Sequence, residues 1–189
     1  MVIRMIRNFV GTMVPVLLGV YLAIVAGNCN ESRQSLRNLS ILMEQLQSEI
    51  DANRADIQRS YEYHLELRDS VDAVYQRYTM EELQTMDARP VFSSWRGTRV
   101  GSMRRGIYMV GINGGVLSSL STQKLGQIND LYNSMNNYER LGRIYLERGV
   151  NMTSNTTALD GLLFVSFFMN DIIAQESRLL DQMASLGNI

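Results

Sequence analysis

The sequence predicts an all-α protein: an N-terminal transmembrane helix, a long heptad-patterned helix and a distal antiparallel helical bundle. Three observations carry this. An uncharged apolar run of nineteen residues lies near the N-terminus. A seam at alternating spacings of three and four then runs for six heptads, and two helix-length amphipathic stretches close the chain. The expected boundaries are a cytoplasmic tail at 1–8, a transmembrane helix at 9–27 and a long helical stalk at 28–86. An Arg-rich loop at 87–106 follows, and then distal helices at 107–189 that pack with the stalk.

The apolar run is FVGTMVPVLLGVYLAIVAG, Phe9 to Gly27. At about 1.5 Å per residue it crosses roughly 28 Å of hydrocarbon. Pro15 and its glycines are costly mid-helix in water but tolerated in membrane helices. Arg4 and Arg7 precede the run, while Glu31 and Arg33 cancel behind it. The bias of positive charge therefore places the N-terminus in the cytoplasm and the rest outside it. A cleaved signal peptide shares the basic head and apolar core, but its core is usually shorter.

The stalk seam reads Leu36, Leu39, Met43, Leu46, Ile50, Asn53 and Ile57, then Ser60, His64, Leu67, Val71, Val74 and Tyr78. No Gly or Pro interrupts it, and charges of both signs lie off the seam, as on a solvated helix face. A helix this long needs partners along its seam, either copies of itself or helices further along the chain. Its polar middle, Asn53, Ser60 and His64, either fixes register or marks where the helix leaves its partner. His64 has no good ligand at helical spacing, since Ser60, Tyr61, Leu67 and Arg68 stand there, so a structural role is expected.

Residues 87–106 break the helical pattern with Pro90, Gly97, Gly101 and Gly106. Arg89, Arg96, Arg99, Arg104 and Arg105 stand there against Asp87 alone, a local charge of +4 beside an acidic stalk. Such arginines pair with neighbouring carboxylates or form an anion or partner contact. Beyond them, Asn113-Gly114-Gly115 is a stop signal, Ser121 opens a helix, Gly149 is a plausible end, and Thr157 caps a final helix. The run LLFVSFFM from Leu162 to Met169 is eight residues long and reads as a buried core helix rather than a second span.

Composition narrows the function. The 189 residues are 46% hydrophobic and 20% charged with net charge −1, so no bulk field draws nucleic acid. One cysteine and one histidine exclude Cys/His zinc sites, and Ser-His-Asp or Cys-His catalysis could run only through His64. Phosphate loops, dinucleotide glycine motifs and EF-hands do not occur in the sequence. Neither an enzyme nor a cofactor is expected.

The turn Gly27-Asn-Cys-Asn-Glu31 after the span, followed by the heptad run, resembles a family of single-span bacterial envelope proteins abundant in Bacteroidetes and marine bacteria. Its members usually read Asn-Asn-Trp-Asn-Glu at this turn; Cys29 stands here in place of Trp. The distal stretch Tyr108, Gly114-Gly115, Val116-Leu117, Ser121, Leu125 and Leu131-Tyr132 is similar to theirs as well. The resemblance implies a mostly α-helical envelope protein and brings no activity with it.

The expectation is a membrane-anchored scaffold or interaction protein of the bacterial envelope, working by helix association outside the cytoplasm. It would sit in the inner membrane as a single-pass protein with its C-terminal domain in the periplasm. Its partners would be membrane lipid and either further copies or another membrane protein. Leu36, Leu39, Met43, Leu46, Ile50, Asn53 and Ile57 are the candidate oligomer seam. The alternative is a sensory ectodomain that contacts an anion or lipid headgroup through Arg89, Arg96, Arg99, Arg104 and Arg105. Cys29 also offers an intermolecular disulfide in an oxidising compartment.

Overall fold

The computed structural model describes residues 2–88, 94–150 and 156–187, and in the first helix the side chains of 18–22, 25, 27 and those from 33 onward. The fold is all-α. Helix α1 runs Val2–Arg77, α2 Met80–Thr85, α3 Gly106–Asn113, α4 Thr122–Val150 and α5 Ala158–Leu186, with a 3-10 turn at Val116–Ser119 between α3 and α4.

Helix α1 begins well before the stalk and carries the heptad register without interruption. Its seam is covered by the chain itself from Met43 onward: Leu46, Ile50, Ile57, Leu67 and Val71 are all buried. Helix α5 covers the part from about Ile57 onward and also packs along α4, while α3, the 3-10 turn and the start of α4 close the seam around Leu42 to Ile50. Helix α5 is antiparallel to α1, since its first turn lies beside Met86 and Asp87 while Glu176 reaches His64. Helix α4 runs parallel to α1, with Tyr132 level with Glu49, Met135 with Asn53, and Tyr138 touching Glu176 opposite His64.

Local chemistry accounts for the ends. Thr79 and Thr157 each make a reciprocal capping box, with Glu82 and Asp160. Ser121 Oγ accepts from the Lys124 amide at the start of α4. Gly115 takes φ +69°, a left-handed turn that a side chain would strain, and so α3 stops at Asn113-Gly114-Gly115. Gly149 does not end α4: the helix continues to Val150, and the Gly149 position packs on Phe164, where a Cβ would stand 3.5 Å from the ring.

The final helix departs from its sequence expectation in one respect. Among the described residues, α5 is the helix long and apolar enough to cross a membrane by length and composition. The apolar character extends past Met169 through Ile172 and Ile173, so the eight-residue run understates it. In this fold Leu162, Val165, Phe168, Met169, Ile172 and Leu179 are buried in the core. The expected span at 9–27 lies mostly on side chains outside the described residues, as do Arg89 and the side chain of Cys29.

Candidate functional site

The Arg-rich segment is not a free loop. Residues 95–105 form a non-helical strap, with left-handed φ at Gly97 and Arg99, that lies between α1 and α4 and runs antiparallel to both. Its backbone is hydrogen-bonded by the polar positions of the α1 seam and by their neighbours. Asn53 makes a paired contact with Arg104, its amide donating to the carbonyl and its oxygen accepting from the N–H, both at 2.8 Å. Ser60 Oγ donates to the Arg99 carbonyl at 3.0 Å. Tyr63 Oη donates to the Gly97 carbonyl at 3.1 Å and accepts from the Arg96 amide at 2.8 Å. His64 Nε2 meets the Thr98 carbonyl at 2.8 Å.

Helix α4 holds the other edge. Glu139 accepts from the Met103 amide and pairs with the Arg105 guanidinium. Val100 seats over Gly142, where a Cβ would fall 2.5 Å from the Val100 side chain, so only glycine allows this approach. The polar middle of the seam therefore neither fixes an oligomer register nor marks a departure from a partner. It replaces the hydrogen bonds that a non-helical, half-buried backbone would otherwise lose.

His64 sits at the centre of a fully buried cluster. Its Nδ1 lies 2.9 Å from both Glu176 oxygens, and each side chain is fully buried. Both ring nitrogens thus face acceptors, Nε2 the Thr98 carbonyl and Nδ1 the Glu176 carboxylate. Tyr138 Oη also donates to Glu176, at 2.8 Å. The phenol's pKa is raised, first by burial and then by the Glu176 charge. Tyr63, Phe168 and, through Phe168, Trp95 and Tyr145 pack their rings around the pair.

A second buried carboxylate organises the start of α3. Glu49 accepts from the amides of Ile107 at 2.8 Å and Tyr108 at 3.3 Å, and from Tyr132 Oη at 2.6 Å. Arg105, at the N-cap, makes no side-chain bond to the first turn of α3, so an acid from another helix satisfies these orphan donors. Tyr108 and Tyr132 stack with centroids 4.0 Å apart. Burial, and then Glu49, raise the pKa of Tyr132.

The sequence-selected residues divide accordingly. Arg96, Arg99 and Arg104 point outward and are exposed, and Arg105 is half-buried on Glu139. Arg99 lies over the Tyr63 ring at 5.1 Å and Arg104 lies 3.8 Å from Asp56, so they do not converge on one point. Of the seam, Met43, Leu46, Ile50, Asn53 and Ile57 are buried inside this one chain, Leu39 is partly covered, and Leu36 is exposed. Glu49 and Glu176 were not singled out by the sequence, although Glu176 falls in the apolar stripe Met169, Ile172, Leu179, Met183. No group of three His, Cys, Asp or Glu side chains that could hold a metal occurs among the described residues.

Comparison with protein-family models, curated proteins and solved structures finds no match. The fold itself defines the class: an all-α bundle whose interior polar groups clamp a strap.

Proposed function

We propose that the chain is a membrane-anchored helical scaffold or interaction protein of the bacterial envelope. Residues 9–27 hold it in the inner membrane, 1–8 lie in the cytoplasm, and the bundle stands in the periplasm and acts by helix association. The observation that carries this reading is the state of the N-terminal part of α1. Leu18, Val20, Tyr21, Leu22 and Val25 are 40–65% exposed on the same continuous helix that builds the bundle wall. Each large aliphatic side chain gains about 1.5–3 kcal/mol by leaving water, which hydrocarbon supplies and this chain does not.

Helix α5 competes for the span by length and hydropathy. It carries the buried Glu176 that pairs with His64, together with Asp171, Arg178 and Asp181, and Leu162, Val165, Phe168, Met169, Ile172 and Leu179 are enclosed in the core while Leu163 and Phe167 stay exposed. A helix cannot face lipid with side chains already enclosed by protein, so α5 is assigned to the bundle. Alkaline carbonate extraction of bacterial membranes tests the anchor. The full chain is expected in the pellet, and a chain lacking 2–27 in the supernatant. A mature N-terminus beginning after Gly27 would replace the anchor with a cleaved signal.

The exposed guanidiniums of Arg96, Arg99 and Arg104 on a fixed strap favour a second reading, a sensory surface for an anion. Arg99 is level with Ser60, about 50 Å along α1 beyond Gly27. A soluble anion therefore suits it better than headgroups of the anchoring membrane. Phosphate that fails to raise the unfolding temperature of the wild type above that of Arg99→Gln/Arg104→Gln removes this reading.

A further inference from the structure

The carboxylates beside the strap are already paired, and two of its arginines are not. Glu139 takes Arg105, and Asp56 holds Arg59 with Arg104 at 3.8 Å. Arg96 and Arg99 are exposed and make no ion pair among the described residues. Arg99 also takes φ +45°, the one left-handed residue other than glycine among the described residues. A long cationic side chain does nothing to ease that conformation, which Gly or Asn adopts more readily. The backbone beside it is bonded on one edge only. The carbonyls of Gly97, Thr98 and Arg99 accept from α1. The N–H groups of 97–102 and the carbonyls of 100–102 have no protein partner among the described residues.

We infer that the outer edge of the strap binds an extended acidic peptide segment of a partner protein. Its carboxylates meet Arg99 and Arg104, and its backbone meets the open peptide groups between them. Arg104 stands at the level of Asp56, and Arg99 at the level of Tyr63, whose ring it covers at 5.1 Å. These levels are two helical turns apart on α1, about 10 Å, too far for one small oxyanion to meet both guanidiniums where they lie. An extended chain rises about 3.3 Å per residue and covers that gap in three residues. Each guanidinium fork can hold a carboxylate by two parallel bonds. A peptide backbone carries donors as well as acceptors, so it serves the open N–H groups and the open carbonyls together; a polyphosphate only accepts and leaves the carbonyls unserved. Little ordering is lost on binding, because Asn53, Ser60, Tyr63, His64 and Glu139 already fix the strap.

The inference rests on the anion-surface reading and names its ligand, so the experiment carries an arm for each. The full chain in detergent micelles is titrated, by fluorescence anisotropy, with labelled peptides of about twelve residues built from Val, Thr and Ser. One peptide carries two Glu three residues apart, one carries two adjacent Glu, and one carries Gln at the spaced positions. The spaced-Glu peptide should bind about tenfold more tightly than the other two, as a second charge-assisted pair predicts. Arg99→Asn and Arg104→Gln should each abolish that preference, with the urea midpoint read by Trp95 fluorescence unchanged. Equal affinity for spaced and adjacent Glu, or a preference that survives both substitutions, overturns the peptide. Inorganic phosphate that stabilises the wild type but not Arg99→Gln/Arg104→Gln, with no peptide preference, overturns the peptide and keeps the anion surface. Binding of neither phosphate nor peptide overturns both.

Discussion

Glu176 holds a position that the α5 stripe of Val165, Met169, Ile172, Leu179 and Met183 would give to an aliphatic residue. Its cost is offset by two donors, His64 and Tyr138, that are themselves enclosed. Glu176→Leu leaves both without their acceptor and is expected to cost about 3–5 kcal/mol, as for other broken buried pairs. Urea unfolding in detergent micelles, followed by Trp95 fluorescence, reads this directly. His64→Leu/Glu176→Leu together should cost less than the sum of the single changes; strict additivity would mean that the two side chains do not act as a pair. Tyr145 donates to Asp171 at 2.6 Å, and its phenol pKa is pushed up to about 12 by burial and then by that carboxylate. The folded chain therefore keeps a proton that the unfolded chain releases near pH 10. Stability is complete below pH 10 and falls between pH 10 and about 12, by up to about 1.4 kcal/mol per pH unit for this group. Tyr145→Phe should flatten that alkaline loss, and an unchanged slope would assign it to Tyr132 and Tyr138.

At the scale of elements, the strap explains why α1 and α4 stay apart. A non-helical segment lies between them, and its peptide groups are bonded to Asn53, Ser60, Tyr63 and His64 on one side and to Glu139 on the other. Asn53→Leu keeps the volume and removes both bonds to Arg104, which at about 1–3 kcal/mol for an unsatisfied buried group should loosen this end first. Hydrogen exchange is expected to accelerate at the Arg104 amide while the α4–α5 contact stays protected. Uniform acceleration across the bundle would show the strap to be integral to the global fold rather than an independently opening unit. The surface ion pairs nearby, such as Arg104 with Asp56 at 3.8 Å, add little by comparison.

For the whole molecule, the apolar N-terminal stretch and the bundle divide one helix between two environments. Among the described residues, all the buried core side chains lie within 33–189, so this fragment is expected to be water-soluble, helical and monomeric by gel filtration. Aggregation of the fragment would mean that the lower part of α1 is needed to complete the fold.

Much of the architecture was legible in the sequence because it depends on local periodicity. The 3.5-residue alternation marks α1, Thr157 marks the start of α5, and Asn113-Gly114-Gly115 marks a stop, all within one or two helical turns, whereas the stalk expected to 86 ends at Arg77 and the Thr79 box that opens α2 was missed. The tertiary structure alone decided what covers the seam and why its centre is polar. His64 and Glu176 stand 112 residues apart, and Asn53 and Arg104 stand 51 apart. Chain periodicity records which face of a helix is apolar. It holds no record of which distant backbone will run along that face, because closing such long loops is governed by the packing of the whole bundle.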